Sequence, residues 1–198
     1  MKYPIVLWDA DGVTLKNSRL FSEQLEIDYG IKTETVLPFF KGVFRECSVG
    51  RADLKVELAK VIGEWGWPGT VGGLMDYWFS KGTLVDQEMI KFIETVRDSG
   101  SRCFMTTDQE KYRGEYLKNL LGNGQPFEKI FYSAEIGTLK KDPLYFDYIY
   151  RFINETLSDT PLDHSQRINF SLSMMMKKIF WPLKILVLPP IFFRVLKS

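Results

Sequence analysis

Histidine is nearly missing from this 198-residue chain: His164 is its one copy, which leaves Ser-His-Asp or Cys-His hydrolysis with little support. Cysteine is scarce as well. Cys47 and Cys103 are the two, and neither has a Cys or His neighbour at metal-ligand spacing, so a reducing, cytoplasmic setting is expected. Cys103 lies inside an apolar run and reads as core. Charge of either sign is not in excess: 26 Lys and Arg stand against 25 Asp and Glu, so the basic footprint of a nucleic-acid binder is absent. A long unbroken apolar run is lacking too. The stretch 179–193 (IFWPLKILVLPPIFF) falls short of the roughly 20 residues of a membrane helix and is interrupted by Lys184, Pro182, Pro189 and Pro190, so membrane anchoring is not expected. The N-terminal MKYPIVLWDADG runs straight into carboxylates, without the apolar core of a secretory signal.

What is present is a chain able to fill a core, with 45% hydrophobic residues. Its length fits one domain with a modest insertion. The even charge balance hides a break near residue 157. Residues 1–157 carry 20 basic and 23 acidic side chains, whereas 158–198 carry 6 and 2, with no acid after Asp163 and no glycine after Gly137. Four of the nine prolines and the triplet Met174-Met175-Met176 also fall in this tail.

Pro4 to Trp8 is a short apolar run ending in Asp9-Ala10-Asp11-Gly12, the pattern of a buried parallel strand that delivers side chains at its carboxyl end. Helical periodicity follows over Ser18–Tyr29, Thr35–Cys47, Ala52–Trp65 and Leu74–Phe79, punctuated by Gly30, Gly50, Gly66-Trp67-Pro68-Gly69 and Gly72-Gly73. So long a stretch without a strand is too much for a plain crossover and reads as a helical insertion. The aromatics Phe39, Phe40, Trp65, Trp67, Tyr77 and Trp78 are expected mainly to pack its helices together. Alternation then resumes: a helix over Asp86–Arg97, a strand over Arg102–Thr106, a helix over Lys111–Leu121, a strand over Lys129–Tyr132, and a helix from Pro143 to about Asn154. That order implies an α/β fold with a doubly wound parallel sheet, whose site lies beyond the carboxyl ends of the strands. Asp9, Asp11 and Thr107 sit at such ends, and Lys140 shortly follows a third.

Two carboxylates at i and i+2 on an extended segment crowd like charge at one strand end unless a cation lies between them. A hard divalent ion such as Mg²⁺ makes the pair useful, leaving one carboxylate to attack phosphorus and the other to handle protons. Gly12 allows the sharp turn that follows. Taken alone, the same residues also suit a solvated loop.

The ordered set VLWDADGV, FMTTDQ with its following EKYRGEYL, and GTLKKDP resembles motifs I, II and III of the haloacid dehalogenase superfamily, in the branch with a helical cap between motifs I and II. The resemblance implies a core of residues 1–15 and 84–157, a cap of 16–83 and an atypical tail of 158–198. It implies Asp9 as the nucleophile that forms an aspartyl-phosphate and Asp11 as general acid and base. Mg²⁺ is then held by the Asp9 side chain and the Asp11 carbonyl, and Thr107 and Lys140 meet the phosphoryl group. Asp108 stands at the phosphate-binding position where the family often has Asn, and its negative charge there is expected to weaken binding; Lys141 stands where the family has Pro, so the lysine role lies with Lys140 or its neighbour. A carboxylate at position 11 separates phosphatases and phosphomutases from dehalogenases. The implied activity is Mg²⁺-dependent hydrolysis of a small phosphorylated metabolite; a mutase, or a binding module without turnover, is the alternative.

Motif IV of that family, an apolar strand ending in acids, has no counterpart downstream of Lys140, where Asp142, Asp147, Glu155, Asp159 and Asp163 follow no such strand. The codons of Met174-Met175-Met176-Lys177, read one base earlier, give Asp-Asp-Glu, and the continuation to Pro182 is compatible with DDEKNILA, which resembles that motif. A frame slip between about residues 155 and 173 is the expectation that follows. The sheet is then expected to lose the strand beside its first one.

Overall fold

The computed structural model describes residues 5–16, 19–121, 126–157 and, for the backbone, 185–188. The core sheet has the order β5-β4-β1-β6, where β1 is Ile5–Asp9, β4 Arg102–Thr107, β5 Ile130–Tyr132 and β6 Ile185–Leu188. The first three run parallel, with Trp8 opposite Met105 and Asp9 opposite Thr106. Side chains alternate between faces, as a period of two demands. Val6 and Trp8 join Cys103 and Met105 against α6 (Gln87–Asp98) and α7 (Lys111–Leu121), while Ile5, Leu7 and Phe104 face α9 (Pro143–Leu157) through Tyr145, Ile149 and Ile153. Helices thus cover both faces, which is why β1 and β4 read as unbroken apolar runs rather than alternating ones.

Between β1 and β4 lies a layer of five helices, α1 (Phe21–Tyr29), α2 (Thr33–Lys41), α3 (Phe44–Cys47), α4 (Leu54–Val61) and α5 (Val71–Lys81). It has its own apolar cluster, built from Leu25, Val36, Phe39, Leu58, Trp65, Leu74 and Trp78, with Phe40, Trp67 and Tyr77 partly buried at its margin. The layer is joined to the sheet by a short antiparallel pair, β2 (Leu15–Lys16) and β3 (Leu84–Val85). The Asp86 amide donates to Thr14 O at 2.9 Å, and Lys16 pairs with Asp86 at 3.1 Å. A second contact is made where Gly50 meets α8 (Ser133–Ile136): a Cβ at this φ of +73° position would come within 2.5 Å of Ala134 O. Beside it Ser133 donates to Ser48 O, and Tyr112 donates to Asp53, which itself caps α4.

Several elements differ from the sequence expectation. The stretch Thr35–Cys47 is two helices, because the chain turns at Gly42 between them. Gly72-Gly73 does not break a helix but lies in the first turn of α5, where Thr70 accepts the Gly73 amide and supplies the missing partner. The two-residue strands β2 and β3 and the single turn α8 are too short to leave a periodic trace. The sheet also does not end at β1. Residues 185–188 occupy that edge, antiparallel, with Ile185 opposite Trp8 and Leu188 opposite Ile5. A buried strand edge needs backbone partners, and an antiparallel neighbour satisfies it as well as a parallel one. Met174-Met175-Met176, Asp159, Asp163 and His164 lie outside the described residues, as does the rest of the proposed frame change. Among the described residues no helix is long and apolar enough to cross a membrane.

Candidate functional site

The carboxyl ends of β1 and β4 bring Asp9, Asp11 and Thr107 together, and the loop before α9 adds Lys140. Asp9 is the last residue of β1 and is partly buried. Its Oδ1 accepts the Ala10 amide at 2.8 Å and lies 2.8 Å from Lys140 Nζ, which also donates to Thr106 O at 3.3 Å. The chain then turns tightly: the amides of Val13, Thr14 and Leu15 all converge on Ala10 O, and Gly12 takes the left-handed φ of 76° that the turn requires. Thr14 closes the turn by donating its hydroxyl to Asp9 O at 2.7 Å.

Asp11 points toward α7. Gln109 Nε2 donates to its Oδ2 at 2.6 Å and Arg113 Nη2 to its Oδ1 at 3.2 Å. Thr107 is fully buried at the end of β4, where its hydroxyl accepts a second contact from Gln109 Nε2 at 3.2 Å. Its amide donates to the Tyr145 hydroxyl at 3.1 Å, and the same hydroxyl lies 3.0 Å from Phe131 O, so one phenol from α9 ties the ends of β4 and β5 together. Burial pushes the Tyr145 phenol far above its ordinary range, which keeps it a neutral donor.

Asp108 is exposed, and its Oδ1 accepts the backbone amide of Lys140 at 2.8 Å. The acid that replaces the usual Asn therefore holds the Lys140 loop against β4. Partial desolvation between these loops raises its carboxyl above the ordinary value of 3.8, against the pull of the Lys140 amide. Glu110 is buried and begins α7 by accepting the amides of Tyr112 at 2.8 Å and Arg113 at 2.6 Å. Burial raises its carboxyl too.

Gln109, Glu110, Arg113 and Tyr145 were not singled out from the sequence. A polar residue two positions beyond a strand end, and an arginine three beyond a helix-starting glutamate, are the signals that could have found the first three. Tyr145 gave none, since its hydroxyl acts from the buried face of an amphipathic helix. Beyond Asp11 a cavity of about 600 Å³ opens toward the helical layer, with Arg19, Phe21, Phe40, Trp78 and Lys81 among its lining. Phe40 and Trp78 therefore both pack and line; Phe39 and Trp65 are buried in the cluster of the layer.

Neither a protein-family model nor a curated protein matches the sequence. Solved structures match in shape. A HAD family enzyme of Bacteroides thetaiotaomicron superposes with a TM-score of 0.62 at 13% identity, covering 76% of this chain and 77% of its own. A predicted HAD-like family hydrolase of Porphyromonas gingivalis gives 0.58 at 18% identity, over 80% of this chain and 78% of that one. The chain has the haloacid dehalogenase (HAD) fold. Within this HAD fold the acids of the first strand, the threonine of β4 and the lysine after β5 meet at one mouth. The Bacteroides enzyme has also been crystallised with magnesium and inorganic phosphate, at a TM-score of 0.59 to this chain.

The donor chemistry of this mouth suits a hard dication: the Asp9 carboxylate and the main-chain oxygen of Asp11 are both oxygen ligands, and Mg²⁺ is commonly held by one or two carboxylates with water and substrate oxygens completing its shell. Among the described residues no group of three acids, histidines or cysteines forms a fuller metal site.

Proposed function

We propose that this protein is a Mg²⁺-dependent phosphohydrolase that acts on a small phosphate monoester. The observation that carries the reading is the 2.8 Å pairing of Lys140 Nζ with Asp9 Oδ1 at the end of β1, with a second carboxylate two residues on. Asp9 attacks phosphorus, the bond from phosphorus to the ester oxygen breaks, and Asp11 gives its proton to the departing alcohol. Water then attacks the phosphorus of the acyl-phosphate on Asp9, passes a proton back to Asp11 and frees inorganic phosphate. Lys140 and Thr107 face the negative charge of the transferring group; Asp9 and the Asp11 carbonyl would hold Mg²⁺, which would supply further charge neutralisation there. Residues 16–83 act as the cap that encloses the body of the ester in the cavity beyond Asp11. The partner is a phosphorylated metabolite rather than a nucleic acid or membrane, and the setting is cytoplasmic.

The test is phosphate release from a panel of phosphate esters with and without Mg²⁺, for the wild type and for Asp9→Asn. The variant is expected to keep the circular dichroism and thermal midpoint of the wild type and to lose turnover. Wild-type activity in Asp9→Asn would remove Asp9 from the mechanism. A second reading, a phosphate-binding module without turnover, is favoured by one observation: no third acid joins Asp9 and Asp11 among the described residues. Phosphate binding without Mg²⁺-dependent release identifies it.

A further inference from the structure

Arg113 is nearly buried, and a guanidinium is costly to remove from water unless its donors are well placed. The placement is unusual. Nη2 donates both to Asp11 Oδ1 at 3.2 Å and to Gly82 O at 2.9 Å, while the buried Nε has no hydrogen-bond partner. Its backbone is pinned in turn, because the Arg113 amide is held by Glu110 Oε1. The second acceptor is as informative as the first. Gly82 ends α5, its amide bonded to Trp78 O, and stands two residues before β3, the return path of the helical layer to the sheet. One nitrogen on a rigid helix of the core thus grips the Asp11 carboxylate and the root of the helical layer together.

We propose that Arg113 is a positioning residue that aims the Asp11 carboxylate, with Gln109 on its other oxygen, and makes that aim depend on where α5 meets the core. The proposal rests on Asp11 being the proton donor and acceptor. When Gly82 O sits against the core, Nη2 is held between two acceptors and Asp11 is fixed. The Asp11 carboxylate is thereby held in one orientation relative to the root of α5. Gln109 gives the site a second readout, since the same amide reaches Thr107 Oγ1 and so spans the proton-handling and phosphoryl-facing residues.

The experiment compares leaving groups in the full chain. An alkyl phosphate needs a proton on its departing oxygen, whereas 4-nitrophenyl phosphate does not, so the first-turnover release of alcohol and of nitrophenolate separates positioning of Asp11 from general damage. Arg113→Gln and Arg113→Met are expected to slow alcohol release about 100-fold, and the nitrophenolate burst less than about threefold, with KM little changed. Arg113→Lys is expected to recover only part of the loss, because the shorter lysine side chain carries its charge less far toward the two acceptors that Nη2 reaches. Asp11→Asn serves as the reference. If Asp11→Asn shows the leaving-group selectivity and the Arg113 variants do not, the proposal is wrong and the reading of Asp11 stands. If the wild type releases neither product with Mg²⁺, or Asp11→Asn shows no selectivity, the reading of Asp11 is overturned and the proposal with it. An equal loss on both esters with a lowered thermal midpoint makes Arg113 structural and overturns the proposal alone.

Discussion

Lys140 Nζ stands 2.8 Å from Asp9 Oδ1, and the Lys140 amide is itself held at 2.8 Å by the Asp108 carboxylate. The two contacts decide a point the sequence left open. Lys140, rather than its neighbour Lys141, is delivered to the end of β1, and an acid that looked like an obstacle to phosphate binding is the group that anchors its loop.

Replacing the two lysines separates their roles. Lys140→Ala is expected to lower phosphate release by about 100-fold, the scale of losing one preorganised charge partner, and Lys141→Ala by less than about threefold. Steady-state kinetics at saturating Mg²⁺ reads the difference. Equal losses would show that either lysine serves.

Under the proposed mechanism chelation by EDTA is expected to stop phosphate release, since Asp9 and the Asp11 carbonyl would hold the cation. With only these two protein ligands proposed among the described residues, the ion is expected to be held weakly. Half-saturating Mg²⁺ is therefore expected to be at least about tenfold higher in this chain than in one carrying the Asp-Asp-Glu reading from residue 174, because each added carboxylate strengthens a hard-cation site. Ending the chain at residue 157 exposes the β1 edge that β6 covers and is expected to lower soluble yield. If the two full-length chains need the same Mg²⁺, the further acids are dispensable.

Glu110 makes stability depend on pH in a direction opposite to most carboxylates. Burial raises its carboxyl above the ordinary 4.5, so between 4.5 and its folded value the native state binds more protons than the unfolded chain. Its contribution is greatest in acid and declines as pH rises through that window. Thermal midpoints of wild type and Glu110→Gln, taken from about pH 4 to about pH 8, are expected to show the wild-type advantage shrinking with pH. A gap that stays constant across the series contradicts this account.

Gly50→Ala forces a Cβ to within 2.5 Å of Ala134 O at a left-handed φ of +73°. A loss of about 1–3 kcal/mol is expected, visible as a lower thermal midpoint. Ala134 contributes a backbone oxygen to this clash, so trimming its side chain to Gly does not relieve it. Recovery in the double variant would place the clash elsewhere.

The three parallel strands and their order of helices were legible because each is a plain apolar run or a strong helical repeat. That Asp9, Asp11 and Thr107 stand at strand ends, with Lys140 shortly after a third, was legible from those runs, whereas grouping them as one set rested on the resemblance of their motifs. What escaped was either short or nonlocal. A two-residue strand such as Leu15–Lys16 has no period, and the α2–α3 turn at Gly42 is a local choice inside an otherwise continuous pattern. Arg113 and Tyr145 act across the fold on residues far away in sequence, so nothing beside them in the chain announces the partner. β6 was misjudged for a related reason: an edge strand is selected largely through its backbone, and the acid-bearing parallel strand looked for in the sequence was not the only kind that edge accepts.

Lys16 and Leu84 are cross-strand partners in the β2–β3 pair, so the points where the chain leaves and re-enters the core are neighbours. In covalent terms the whole helical layer is the loop of a hairpin. Joining residue 16 to residue 84 through a tight Asn-Gly turn would close that hairpin without disturbing β1 or β4. The layer is thus a cassette, and the geometry that makes it removable is the same geometry that would have let it be inserted into a smaller ancestor at little cost to the sheet.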